Sequence, residues 1–266
     1  MTATNQHTGK VILAAAGCGD PELITVKAAR WLQQADVVLT DRLVGEAILK
    51  EYVNKTAEII YVGKQNNKKT SVPQEEINQL IVRYALQGKL VVRLKGGDIA
   101  FFSNVLDELQ VLIENNIAYE IIPGVTAASG AAAYAGIPLT ARGYATSVRL
   151  LTYYKTDIVT DAYWAELAAT NDTLVFYMSS ETLDSVVENL LQHKIDAGKL
   201  LAVVEQATTP LQNVSITGLY EYAATLKGKQ FASPTLIIIG KVVALHKDFA
   251  WLKNTATKEL YFNPIS

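Results

Sequence analysis

The chain has 266 residues, 50% of them hydrophobic and 19% charged, which suits one or two packed domains and argues against general disorder. Its formal net charge of −2 argues against broad nucleic-acid or membrane-surface binding, which favours an evident basic excess. Cys18 is the only cysteine, so an intramolecular disulfide and a cysteine-rich metal site are both excluded.

Short β-branched runs alternate with longer helical patterns. Residues 11–16 (Val-Ile-Leu-Ala-Ala-Ala) read as a buried strand ending at Gly17. A helix is predicted over 21–34, with Asp20 as its cap and Pro21 in its first turn. Strands follow at 36–39 and 58–62. The segment 71–87 is the clearest helix: Ser71 and Gln74 fit a capping box, and Ile77, Leu80, Ile81 and Tyr84 recur on one face. Gly88 ends it before a strand at 90–94. A helix at 104–114, a strand at 119–122 and an Ala-rich helix at 126–134 complete the first half. After residue 143 the pattern restarts, with strands expected at 148–152, 173–177, 201–204, 214–217 and 235–239, and a helix at 181–192.

The natural organisation is α/β, as two α/β domains, 1–140 and 141–266, with ligand binding expected at strand C-terminal ends. His7, His193 and His246 are far apart and show no ligand spacing, so no metal site is expected. The first ten residues are polar, and no apolar run reaches the ~18–20 residues of a membrane span, so a cytoplasmic protein without membrane or nucleic-acid partners is expected.

Three glycine loops follow predicted strands. Gly17-Cys18-Gly19-Asp20 fails the dinucleotide fingerprint, because Glu22 stands where the third glycine belongs. Arg93-Leu94-Lys95-Gly96-Gly97-Asp98 places two glycines and a carboxylate directly after a strand. Pro123-Gly124-Val125-Thr126-Ala127-Ala128-Ser129 offers a turn and then a helix start with exposed N–H groups. Glycine admits close backbone approach, and none of these loops matches a phosphate motif, so together they favour a polar ligand without phosphate.

These segments, with Asp41-Arg42-Leu43-Val44, Val62-Gly63-Lys64, Gly136-Ile137-Pro138-Leu139-Thr140, Thr173 to Met178 and Ser233 to Gly240, resemble the uroporphyrinogen-III C-methyltransferases over almost the whole chain. The resemblance implies two α/β domains of the tetrapyrrole-methylase type, usually a homodimer, with S-adenosyl-L-methionine (SAM) bound in the cleft between them. It implies methylation of uroporphyrinogen III at C2 and C7, giving precorrin-2 for sirohaem and cobalamin, with S-adenosyl-L-homocysteine as by-product. Position by position, it assigns SAM to Cys18, Gly96, Gly97, Asp98, Phe101, Thr126, Ala127, Met178 and Ala207. Asp41 becomes proton acceptor and Lys64 proton donor. Because the substrate carries eight carboxylates, Arg42, Arg142 and Arg149 are candidates to hold its rim.

The chain departs from the family in places. Cys18 replaces a proline, and Thr40 replaces a tyrosine. Where the family has Gly-Arg-Gly-Gly-Glu-Glu, this chain has Ser103-Asn104-Val105-Leu106-Asp107-Glu108, so the cation is lost at Asn104. The family's Thr-Gly-His is Thr152-Tyr153-Tyr154 here. Two rival readings follow: a family member that methylates another reduced tetrapyrrole, and a SAM- or tetrapyrrole-binding protein with little catalysis.

Overall fold

A computed structural model describes residues 8–62, 72–154, 159–257 and 259–262. The chain divides into two compact units, Met1–Ala127 with Tyr261–Ser266, and Ala128–Leu260.

The first unit is built on five strands, β1 (Lys10–Ala15), β2 (Val37–Thr40), β3 (Glu58–Tyr61), β4 (Leu90–Lys95) and β5 (Ala118–Ile122). They lie in the order β3-β2-β4-β1-β5, and every pairing is parallel. Parallel neighbours need crossovers, and α1 (Val26–Leu32), α2 (Glu46–Tyr52), α3 (Gln74–Leu86) and α4 (Val105–Glu114) lie between successive strands. Both sheet faces are therefore covered. Ile12, Ala14, Val92 and Leu94 pack with Leu32, Ile48 and Leu49 on one side. Val11, Leu13 and Val91 pack with Ile77, Ile81 and Leu112 on the other. Successive side chains of a strand alternate faces, which is why these strands read as continuous apolar runs.

Two helix expectations are corrected here. Residues 21–34 are not one helix. Asp20 caps a single 3-10 turn, Pro21–Leu23, by accepting from the Glu22 N–H at 2.9 Å. Ile24 is then extended, and the Thr25 hydroxyl caps α1 by accepting from the Ala28 N–H at 3.2 Å. A hydroxyl able to start a fresh helix has interrupted the periodic pattern. The proposed capping box also fails. Ser71 lies outside the described residues, Pro73 holds the cap position of α3, and the Gln74 amide donates to Asn78 at 3.0 Å instead.

The second unit carries β6 (Val148–Thr152), β7 (Thr173–Tyr177), β8 (Leu200–Glu205), β9 (Asn213–Gly218) and β10 (Thr235–Gly240), in the order β6-β7-β10-β8-β9. Only β6 and β7, which flank α6 (Asp161–Ala169), run parallel; the other pairings are antiparallel. Phe176, Leu201, Val203 and Ile237 form its main core with Trp164 of α6 and with Val186 and Leu190 of α7 (Leu183–Gln192).

Helix α5 (Ala127–Ala135) explains where the units divide. Sequence patterning puts that boundary near residue 140. In the structure the Ala128 N–H donates to the Tyr177 hydroxyl at 3.0 Å, and Trp251 donates to the Ala133 carbonyl at 2.9 Å. From Ala128 onward α5 thus belongs to the second unit. Among the described residues, no helix is long and apolar enough to cross a membrane.

Candidate functional site

The C-terminal ends of β1, β4 and β5 bring the three glycine loops of the first unit together. Gly17 and Gly97 exchange backbone hydrogen bonds, at 3.1 Å from Gly17 N–H and 2.6 Å from Gly97 N–H. The Asp98 carboxylate accepts from the Gly124 N–H at 2.6 Å and from the Ala100 N–H at 2.8 Å. Its first task is therefore to join loops, although a carboxylate has about four acceptor positions and keeps capacity for a ligand donor.

The glycines serve different purposes. A β-carbon on Gly124 would lie 2.6 Å from the Ala15 β-carbon and 2.9 Å from the Gly97 carbonyl oxygen, and one on Gly96 would lie 2.7 Å from the Leu43 β-carbon. These two permit close packing. Gly97 has φ +75° and would meet no atom within 4 Å, so this loop presents bare backbone to open space. Cys18 is partly exposed beside the bridge, Thr126 is partly exposed ahead of α5, and Phe101 is exposed after Asp98.

In the second unit, Met178 follows β7 with φ 51°, is 49% exposed, and accepts from the Tyr154 hydroxyl at its sulfur, 3.1 Å away. Buried Ala207 follows β8 between Gln206 (φ 48°) and Thr208 (φ 67°). Non-glycine residues in this left-handed region cost of order 1–3 kcal/mol each and concentrate at ligand sites.

Asp41 follows β2 and lies within a network that sequence reading misses. Arg93 Nη2 donates to Asp41 Oδ1 at 2.7 Å, and Arg93 Nε donates to Glu108 Oε1 at 2.8 Å. Lys95 Nζ donates to the same Glu108 carboxylate at 3.0 and 3.1 Å. Burial pushes the Lys95 ammonium below its usual range, aided by the neighbouring Arg93 charge. For Arg93, burial is the largest influence and opposes the charge, yet Asp41 and Glu108 together outweigh it and raise the guanidinium further. The available signal was Arg93 and Lys95 at alternate positions of an otherwise apolar strand buried on both faces, where charges require partners.

The remaining candidates separate. Lys64 lies outside the described residues. Arg42 is half-buried, and desolvation lowers its guanidinium from the ordinary value. Arg142 is exposed, next to the Ala141–Ala145 bridge. Arg149 is held by two carboxylates of its own unit, Asp172 at 2.5 Å and Glu166 at 2.6 Å. Its charge is thereby matched within the fold, so we do not assign it to substrate. The Ser147 hydroxyl, and then Arg149, hold the Asp172 carboxyl down at about 2.

The broken motifs also take definite form. Asn104 is left-handed (φ 51°) at the cap position of α4, a conformation asparagine tolerates well, and its side chain makes no capping bond. Tyr153 turns inward and meets Trp164 edge-to-face at 5.1 Å, whereas Tyr154 is exposed beside Met178.

Residues 10–223 match the family model "Tetrapyrrole (Corrin/Porphyrin) Methylases". A siroheme synthase of Azotobacter vinelandii is 46% identical over 251 residues, covering 94% of this chain and 54% of that protein. The chain thus spans about half the length of such curated relatives. The crystal structure of uroporphyrin III C-methyltransferase from Thermus thermophilus superposes with a TM-score of 0.73 at 36% identity, over 89% of this chain and all of that one. A structure of that enzyme complexed with S-adenosyl homocysteine gives 0.73 at 35% identity, with the same coverage.

Proposed function

The chain belongs to the tetrapyrrole (corrin/porphyrin) methylase family, and from that premise we propose that it methylates uroporphyrinogen III at C2 and C7, using SAM, to give precorrin-2. The observation that carries the reading is the joined set of loops at Gly17, Gly97–Asp98 and Gly124, with the open backbone at Gly97. That surface fits an adenosine and an amino-acid ammonium better than a phosphate, because the N–H groups of Gly17, Gly97, Ala100 and Gly124 are already donated within the loops while the carbonyls and the Asp98 carboxylate keep acceptor capacity. In this reading Cys18, Gly96, Gly97, Asp98, Phe101, Thr126 and Ala127 hold SAM, and Met178 and Ala207 are assigned to it by the family resemblance.

When bound, SAM supplies a methyl group made electrophilic by its sulfonium. The protein's own residues then do three things. The loops orient the reactants, an effect able to supply several kcal/mol of barrier reduction. Arg42 and Arg142 attract the carboxylates of the substrate. Asp41 takes the proton that the methylated ring system must lose from its adjoining methylene bridge, and Lys64 is assigned the complementary donor role. The working form in this proposal is a cytoplasmic homodimer, and the pathway is sirohaem or cobalamin biosynthesis.

A second reading has its own support. Asn104 removes a cation from the α4 loop, and Tyr153-Tyr154 replaces a small residue and a histidine, so the substrate is another reduced tetrapyrrole or turnover is low. Incubation with SAM and enzymatically generated uroporphyrinogen III, followed by mass analysis of the oxidised product, separates the two. Two added methyl groups support the lead reading. SAM bound with no methyl transferred supports the second.

A further inference from the structure

We propose that Arg93 is a positioning residue for methyl transfer, holding the Asp41 carboxylate in the orientation from which it accepts the proton, with Glu108 anchoring Arg93 from behind. The inference rests on the reading of Asp41 as proton acceptor given above.

Three members of the network are buried and the fourth is not. The side chains of Glu108, Arg93 and Lys95 are 0%, 3% and 6% exposed, while Asp41 is 28% exposed. Asp41 is therefore the end of the network that a substrate can reach. A guanidinium is a rigid planar fork, and every nitrogen of this one is engaged. Nε serves Glu108, Nη1 faces the carbonyls of Leu94 at 3.2 Å and Leu39 at 3.4 Å, and Nη2 serves Asp41. Turning the guanidinium plane would break several bonds at once, so Asp41 Oδ1 is tied to an immobile donor.

Lys95 completes the arrangement. Two carboxylates and two cations bring the cluster to neutrality, and Lys95 shares Glu108 so that Arg93 keeps a charge directed at Asp41. Stability alone does not call for this, since apolar residues of similar volume commonly replace a buried ion network without loss. Proton transfer gives it a use. As a C–H bond of the methylene bridge adjoining the methylated ring breaks, its electron pair forms a C=C bond to the ring's α-carbon and neutralises the iminium left by attack. The proton forms an O–H bond on Asp41 Oδ2 while Oδ1 stays with Arg93.

The test is a double-mutant cycle on the full chain with Arg93→Lys, Asp41→Asn and both together. Methyl transfer to uroporphyrinogen III is measured under saturation, and S-adenosyl-homocysteine affinity by calorimetry. Arg93→Lys keeps the charge but loses the fork, and it should lower kcat by about 10- to 100-fold while KM and affinity stay within about twofold. In the Asp41→Asn background the same change should alter kcat by less than about twofold, because the group it positions is already disabled. Losses that multiply independently, or a raised KM with kcat intact, would show a merely structural role and overturn the proposal. Unaltered turnover in Asp41→Asn removes the proton acceptor, and no transfer by the native chain removes the functional reading; the proposal falls with either, and each is recognised separately. Should Arg93→Lys fail to fold, Glu108→Gln replaces it in the cycle with the same expectations.

Discussion

The open backbone at Gly97 can be set against the crowded backbone at Gly124. An alanine at Gly97 meets no atom within 4 Å, so its cost is that of a left-handed φ of +75° alone. That amounts to about 1 kcal/mol, or roughly 2–4 °C in Tm for a chain of this size. An alanine at Gly124 brings its β-carbon to 2.6 Å from the Ala15 β-carbon and 2.9 Å from the Gly97 carbonyl oxygen. Neither atom can swing aside, and the displaced Gly124 N–H would also strain its bond to Asp98. Overpacking of this kind costs typically 1–3 kcal/mol. Thermal melts should therefore show Gly124→Ala as clearly the more damaging change to the fold. Calorimetry with S-adenosyl homocysteine should show Gly97→Ala losing at least about tenfold in affinity, 1.4 kcal/mol or more, despite its milder effect on stability. Unchanged affinity in Gly97→Ala would mean that the open side of this loop is not turned to the cofactor. A larger loss of stability at Gly97 than at Gly124 would refute the steric reasoning itself.

Three further outcomes are expected. Asp41→Asn should slow methyl transfer by about 10²–10⁴-fold with SAM affinity nearly unchanged, read by single-turnover product analysis and calorimetry. Asn104→Arg with Val105→Gly and Leu106→Gly should raise activity on uroporphyrinogen III above a weak native level, since the arginine restores the cation and the glycines loosen the first turn of α4; a fall from robust native activity would show compensation elsewhere. Asp172, lowered from 3.8 to about 2 on folding, contributes stability that is fully present above the unfolded value and is lost as pH falls from about 4 through 2. Asp172→Asn should accordingly lower Tm at pH 6, and the difference from the native protein should shrink by pH 3; a constant difference counts against the assignment.

The ten strands among the described residues, the two α/β units and the three glycine loops were legible from residue order, because each rests on local information. A strand such as Thr173–Tyr177 announces itself by a short β-branched and aromatic run, and a loop such as Gly96-Gly97 by its place after one. Helices α2 and α6 were among those that escaped the pattern, although Thr160 caps α6 through the Tyr163 N–H at 3.3 Å. Where the pattern was overextended, as across residues 21–34, a single capping hydroxyl at Thr25 was enough to restart the chain.

What the order of residues left open was pairing at long range. Arg93 meets Asp41 across 52 positions and Glu108 across 15; its place in an apolar strand signals that it needs partners but not which ones. Arg149 was matched to the substrate by its charge, but folding set it beside Asp172 and Glu166. The Ala-rich helix was legible as a helix, yet only its contacts with Tyr177 and Trp251 assigned it to the second unit. Periodicity reports which faces must be buried, whereas a buried charge takes whichever partner the tertiary fold brings within about 3 Å of it.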